Sequence, residues 1–425
     1  MRTPWGDAGN LRERQLSPGR GQAREEVRRN QRERLFAALV AVAVGKDYPE
    51  MSVADLASLS GVSSRSFYQL FADREACLLA TMEEILGTVE AVTYHALAAA
   101  APQRPRVHQA IDTFIAVIAA QPAAARLCMV TALGAGERPR ARMDALIGEF
   151  AATMQAALEE MPDHDGMPPE LTEAILGGIA IVLYHRLAAG EFDGIESLAP
   201  GLRRWALGVP APPRPLRPRR RRGSRSTGSP PFTAHLPAEQ ILRAYAAVLA
   251  EKGYAGTTIA DVAARARISQ NTFYKHFEDR RAAFLAAVDS SGAQLVAATV
   301  PALRRDGCWP SAVRTGLEAA CAFFVAEPAF AHLRQVEVFA VGPEAVRQRD
   351  VAIGEVVGLI AEMAPAELGL DPLAVEASVG AFQALLYRRI RHRDFAALAE
   401  VPPLVMYLVL APSLGAEQAW EAAVG

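Results

Sequence analysis

The stretch Ser269-Gln270-Asn271-Thr272-Phe273-Tyr274-Lys275-His276-Phe277 places two kinds of chemistry on one short segment. On a helical period Phe273 and Phe277 stand at i and i+4 and share one face. Gln270, Asn271, Lys275 and His276 project from the other. Gln and Asn side chains can bond an adenine edge through two hydrogen bonds, whereas Tyr274 and Lys275 suit phosphate oxygens. A short helix that is apolar behind and polar in front fits the major groove of duplex DNA, with its free N–H groups directed at the backbone. Earlier in the chain, Ser63-Ser64-Arg65-Ser66-Phe67-Tyr68-Gln69-Leu70-Phe71 repeats the layout. It carries Gln69-Leu70 where the later copy carries Lys275-His276, so its outward face is less basic.

Such a helix needs two others behind it. In the second half, Ile241, Leu242, Tyr245, Val248 and Leu249 follow helical spacing, and Gly253 ends that helix. Thr258 is a good N-cap for a short helix bearing Ile259, Val262 and Ala263, Ser269 caps the next, and Asp279 opens a fourth with Phe284, Leu285 and Val288. The first half repeats this order with Leu35, Phe36, Leu39 and Val40, then Ser52, Ser63 and Asp73. Three short helices with a tight break between the second and third are a helix-turn-helix. Downstream, both halves show long Ala/Leu/Val patterns of helical period, and no run of period two occurs. The expected fold class is all-α.

The repeat is internal and gapless near these motifs. Tyr48 to Ala80 aligns with Tyr254 to Ala286 at an offset of 206, with 13 of 33 positions identical. The offset becomes 203 for Glu173/Glu376, Gly177/Gly380 and Tyr184/Tyr387, the difference falling near the Pro162–Pro169 loop. The period far exceeds that of solenoid repeats, so one two-part unit is duplicated. The expected organisation is a basic arm at 1–30, a helix-turn-helix domain at 31–76, and a helical regulatory domain at 77–208. A Pro/Arg-rich linker at 209–237 follows, then a second helix-turn-helix domain at 238–282 and a second regulatory domain at 283–425.

These residues resemble the tetracycline-repressor (TetR) family of bacterial regulators. The resemblance rests on Thr258-Ile259-Ala260-Asp261-Val262-Ala263, on Ser269 to Phe277 and on Asp279-Arg280. In the first half it rests on Ser52-Val53-Ala54-Asp55-Leu56-Ala57 and on Ser63 to Phe71 with Asp73-Arg74. It is sharp over about 50 residues in each half and loose elsewhere. It implies a three-helix DNA-binding head, then a helical domain that binds a small effector and dimerises through its last long helices. Effector binding would respace the recognition helices and release the operator. The implied DNA contacts are Ser52, Ser63, Ser64, Arg65, Ser66, Tyr68, Gln69 and Arg74, with Thr258, Ser269, Gln270, Asn271, Thr272, Tyr274, Lys275, His276 and Arg280. Phosphate contact is assigned here to the Tyr, Lys and Arg positions. Family members mostly carry one unit per chain, and this sequence carries two. Either the halves form an intramolecular pseudo-dimer on a duplex operator with two unlike half-sites, or two chains pair. A third option leaves the first helix-turn-helix without DNA binding.

Composition bounds the alternatives. The chain has 425 residues, 51% hydrophobic and 22% charged, and a net charge of −2, so any nucleic-acid surface is local. Lysine occurs at Lys46, Lys252 and Lys275 alone, the remaining 42 basic residues being Arg, a bias that a GC-rich genome explains. Four scattered cysteines form no ligand cluster, which disfavours a disulfide scaffold or zinc site and fits a reducing cytosol. No uninterrupted apolar run reaches the ~18 residues of a membrane span, and the N-terminus lacks an apolar signal core. The expectation is a cytoplasmic protein without membrane attachment. Asp163-His164-Asp165 has metal-ligand residue types but reads as a surface loop, and no metal or cofactor is expected. Nucleophile-elbow, Walker A, zinc-protease and dinucleotide fingerprints are absent, so no enzyme is expected.

Candidate linings for an effector pocket are Phe114, Ile118 and Met129, with Phe323, Phe324, Phe330 and Phe339, all equally suited to a bundle core. Leu176–Tyr184 and Phe382–Tyr387 carry small and apolar residues suited to close helix packing between the halves. Arg24, Arg28, Arg29, Arg32 and Arg34 would follow a minor groove or remain solvated. Arg219–Arg222 would add non-specific affinity or serve as solvated linker. The reading is a repressor released by a small, largely apolar effector. Its rivals are a ligand-binding or scaffold protein with degenerate heads, and a nucleoid-type binder acting through Arg-rich tails.

Overall fold

A computed structural model describes residues 1–16, 24–98, 106–217, 237–305 and 308–425. It is all-α, with nineteen α-helices among the described residues. The one exception to the expected absence of strands is a small hairpin, β1 (Arg2–Thr3) against β2 (Gly6–Asp7), with Arg2 opposite Asp7.

The chain divides into two compact units. The first holds Met1–Ala157 and Leu183–Arg203, the second Leu158–Val182 and Arg204–Gly425. In chain order the helices are α1 (Arg24–Gly45), α2 (Val53–Ser60), α3 (Ser64–Leu70), α4 (Arg74–Ala98), α5 (Arg106–Ala120), α6 (Pro122–Met129), α7 (Glu137–Glu159), α8 (Pro169–Ala189) and α9 (Ala199–Leu207). They continue with α10 (Pro237–Gly256), α11 (Ile259–Ala266), α12 (Gln270–His276), α13 (Arg280–Leu303), α14 (Trp309–Ala326) and α15 (Pro328–Gln335). The last are α16 (Pro343–Glu362), α17 (Pro372–Arg391), α18 (Val401–Leu414) and α19 (Ala416–Val424).

The unit boundary does not fall at the linker expected from composition. Residues Leu158–Val182, from the first repeat, belong to the second unit. The reason is a seam of small residues. A Cβ on Gly177 would lie 2.3 Å from the Cβ of Ala384, one on Gly178 2.5 Å from the carbonyl oxygen of Ala377, and one on Gly380 2.9 Å from the Cβ of Ile181. Helices α8 and α17 therefore approach backbone to backbone, which only glycine permits. Glu173 and Arg388 pair beside this seam. The seam lies nearer Ala377–Ala384 than the expected Phe382–Tyr387.

Two expected loops are partly built into the units. In the segment expected as an arm, Leu11 is buried, Trp5 packs 5.2 Å from Phe36, and Arg12 Nε donates to the Ser58 carbonyl. Helix α1 begins at Arg24, inside the expected arm, with Glu25 and Glu26 in its first turn, where acids suit the helix dipole. In the expected linker, Val209 and Leu216 are buried, Ala211 N–H donates to the Asp163 carbonyl and Tyr407 Oη donates to the Pro210 carbonyl. Apolar side chains in both segments find a surface to cover. Arg219–Arg222 lie outside the described residues.

Three helices, Pro169–Ala189, Arg280–Leu303 and the stretch Ala396–Leu414, are long and apolar enough to cross a membrane. The expectation from uninterrupted runs missed them, because each mixes small or polar residues into its apolar pattern.

Candidate nucleic-acid interface and effector cavity

Each head is built by the same local chemistry. In the first, the Ser52 side chain accepts from Asp55 N–H while Asp55 accepts from Ser52 N–H, a reciprocal cap that starts α2. In the second, Thr258 and Asp261 do the same for α11. Lys46 Nζ lies 2.7 Å from Asp55, and Lys252 Nζ 2.7 Å from Asp261. The lysine, then the capping hydroxyl, holds each carboxyl well below its ordinary range, at about 2. Ser52 and Thr258 are exposed, and their hydroxyls are engaged in these caps.

A left-handed residue then turns the chain into the third helix: Gly61 at φ 68° in the first head, Arg267 at φ 57° in the second. Ser63 and Ser269 cap α3 and α12, accepting from Ser66 N–H and Thr272 N–H. Phe67 and Phe273 are fully buried and Phe71 is buried; Phe277 is half-buried, its ring 5.6 Å from Phe273. Both helices thus hang from their phenyl rings. On the outer side Ser64, Arg65, Tyr68 and Gln69 are exposed in the first head, and Gln270, Asn271, Tyr274, Lys275 and His276 in the second. Ser66 and Thr272 are half-buried against their capping serines, with oxygen separations of 3.0 and 2.9 Å. Tyr68 is 60% exposed and Tyr274 52%, unusual for side chains of that size on a folded surface. Arg65 and Lys275 make no ion pair among the described residues.

Arg74 and Arg280 stand differently from the phosphate role assigned to them. Both are half-buried. Arg280 lies 4.2 Å over the Tyr254 ring and donates to the carbonyls of Tyr254 and Thr257 at 3.0 and 2.8 Å. Arg74 lies 4.0 Å over Tyr48 and donates to the Met51 carbonyl. Each guanidinium donates through Nη1 into the segment that leads to the second helix of its head. The identical pairs Tyr48/Arg74 and Tyr254/Arg280 in the sequence were the signal for this lock.

The basic residues expected in an arm divide in the same way. Arg34 is buried and donates to the Ser60 carbonyl at 2.8 Å. Arg28, Arg29 and Arg32 stand on α1 and share a surface groove with Leu70 of α3. Glu25 and Glu26 line the same groove, so three arginines and two acids stand together beside α3.

The second unit contains a cavity of about 410 Å³. Helices α13, α14, α16, α17 and α18 line it, together with Arg204, Trp205 and Gly208. Of the residues expected to line a pocket, none borders this cavity. Phe323, Phe324 and Phe330 are core residues, and Phe339 packs 6.2 Å from Tyr387. In the first unit Ile118 is core, Phe114 packs 5.6 Å from Phe150, and Met129 packs against the core. Phe382, expected at the seam, lines the cavity instead. The aromatic side chains that do face the cavity are Trp205, Trp309 and Phe382, beside Gly316, Ala320 and several valines and leucines.

The polar side chains inside the cavity are satisfied within the protein. Thr299 donates to the Leu295 carbonyl at 2.7 Å, Trp309 Nε1 to the Ile360 carbonyl at 2.9 Å, and Ser413 to the Leu368 carbonyl at 3.5 Å. Ser378 Oγ accepts from Trp205 Nε1 at 3.2 Å and donates to the Ala374 carbonyl at 2.7 Å. Charge appears at Arg204 and Asp371, 3.8 Å apart and largely solvated. Among the described residues no group of three or more His, Cys, Asp or Glu is placed to hold a metal ion. Of Asp163-His164-Asp165, expected as a surface loop, Asp163 and His164 lie in a short 3-10 turn, Pro162–His164, with His164 buried.

Fold and site define a helix-turn-helix protein of the DNA-binding kind. Residues 241–287 match the family described as bacterial regulatory proteins, tetR family. The chain is also similar to solved structures of such regulators. The fatty acid degradation regulator FadR from Bacillus halodurans is 18% identical, covering 41% of this chain and 95% of its own, with a TM-score of 0.37. FadR from Bacillus subtilis, solved in complex with stearoyl-CoA, is 14% identical over 42% and 98%, with a TM-score of 0.36. PfmR from Thermus thermophilus is 24% identical over 36% and 84%, with a TM-score of 0.31. No curated protein matches the sequence.

Proposed function

We propose that this chain is a sequence-specific transcriptional regulator with two TetR-like units in tandem, a cytoplasmic repressor without catalytic activity that a small apolar effector releases from DNA. One observation carries the reading. In both heads a capped seven-residue helix is anchored by a buried phenyl ring and turns an exposed tyrosine and polar side chains outward. That is the arrangement a major groove requires. Asn271 and Gln270 read base edges, while Tyr274 and Lys275 hold phosphates. Ser64, Arg65, Tyr68 and Gln69 do the corresponding work in the first head, with charge from Arg28 and Arg29.

The halves act as a pseudo-dimer on two unlike half-sites about 34–36 Å apart, or a multiple of that. The glycine seam between α8 and α17 supports this, because helices from the two repeats meet there as paired subunits would. The cavity of the second unit, whose polar side chains are already satisfied, supports an apolar effector.

A gel-shift titration on the protein's own promoter tests the reading. Binding should survive an excess of random DNA and fall in a Tyr274→Ala/Lys275→Ala variant. Binding that persists in that variant but disappears when the Arg-rich tails are deleted would replace it with the non-specific model. No binding under any condition would leave a ligand-binding scaffold. Solution mass with and without operator separates one chain per operator from two.

A further inference from the structure

Trp205 stands at an unusual junction. Its indole lines the cavity of the second unit. Its N–H is fixed by Ser378 of α17. Its ring edge rests on α8, where a Cβ at Gly178 would lie 2.5 Å from the Trp205 Cη2 carbon. The same glycine sits at the seam, against the Ala377 carbonyl. One side chain is therefore wall of the cavity on one side and spacer of the α8–α17 crossing on the other.

We propose that the cavity takes an uncharged aliphatic molecule, and that Trp205 both sets the length it accepts and transmits its presence to the α8–α17 seam. This rests on the effector reading above and goes beyond it in naming the ligand class and the transmitting residue. The class follows from the lining. With the O–H groups of Thr299, Ser378 and Ser413 and both indole N–H groups already donating, an anion carried inside would meet no free donor, and a cation would meet only hydroxyl lone pairs in an otherwise apolar lining. Arg204 and Asp371, of opposite sign, favour neither an anion nor a cation at the rim. The transmitting role follows from packing. An indole held by a hydrogen bond at one edge and by glycine backbone at the other has no free volume to yield into. An occupant pressing on it must displace the seam.

Straight-chain alcohols from hexanol to dodecanol are the probe, titrated into the full-length protein and followed by calorimetry. Affinity should rise about fourfold per added methylene and then stop at a limiting length. Trp205→Phe, which keeps an aromatic ring but shortens it, should move that limit to longer alcohols. An unchanged limit, no saturable binding of any alcohol, or equal binding of the matching carboxylates would each overturn the proposal. Amide exchange of the segment 174–182 tests transmission. Decanol should alter its protection in the wild type and leave it unaltered in Trp205→Ala, or in Trp205→Phe should the alanine variant not fold. A change that persists in a variant that still binds decanol would overturn the transmitting role. These measurements need no DNA. A protein that shows the moved limit yet binds no promoter fragment would sink the regulator reading and leave the gauge standing.

Discussion

The Arg280 guanidinium lies 4.2 Å above the ring of Tyr254 and bonds that residue's own carbonyl, closing the loop between α10 and α11. Arg74 and Tyr48 form the same lock in the first head at 4.0 Å. Arg280→Met should therefore lower the stability of the second head by about 1–2 kcal/mol. DNA affinity should fall with it, while the slope of log affinity against log salt stays unchanged. A phosphate contact would behave otherwise, since its loss reduces that slope by about one. Thermal unfolding and binding at several salt concentrations distinguish the two.

In the proposed function, base reading and phosphate binding fall to different residues of α12. Asn271→Ala should relax base choice at one half-site by about 1–3 kcal/mol, and Lys275→Ala should weaken all sequences alike. Both residues are exposed on the outer face of the helix. Competition between promoter and random duplex reads the difference. Equal losses on both DNAs from Asn271→Ala would remove that residue from base recognition.

The turn before α12 is strained where the turn before α3 is not. Arg267 holds φ 57° at the position that Gly61 fills in the other head at φ 68°. Arg267→Gly should stabilise the second head by about 1 kcal/mol, because a side chain in the left-handed region meets its own backbone. Thermal or chemical denaturation reads the gain, and a loss of stability would show that the Arg267 side chain makes contacts worth more than the strain.

The α8–α17 seam makes a reciprocal prediction. Gly177→Ala should cost about 1–3 kcal/mol, because the new methyl overlaps Ala384. Ala384→Gly should recover much of it, so that the double variant is more stable than the sum of the single changes requires. Additive effects would mean that the helices do not meet there.

Burial lowers the pKa of His164 below its ordinary value, so the folded state favours neutral imidazole. The stability this contributes is complete above the unfolded value of 6.5 and is lost as pH falls below it. Acidification from about pH 7 to about pH 5 should destabilise the second unit. His164→Phe should flatten that dependence. Denaturation midpoints across this range, compared between the two proteins, decide it.

Much of each head was legible in the sequence. Ser52, Thr258 and the phenylalanines spaced by four state a cap and a buried face through local rules that involve few distant partners. The job of Arg74 and Arg280 was not legible. An arginine after Asp at a helix start reads as a phosphate ligand, and nothing local to it announces the ring, more than twenty residues away, that it covers.

The sequence by itself determined the duplication, the helical class and the capped recognition segments, since periodicity and capping act over neighbouring residues. Only the tertiary structure decided that Leu158–Val182 belongs with the second repeat, that the cavity avoids the phenylalanines expected to line it and that Trp205 links it to the seam. Those outcomes depend on which surfaces meet, and a glycine declares its role only once another backbone lies against it.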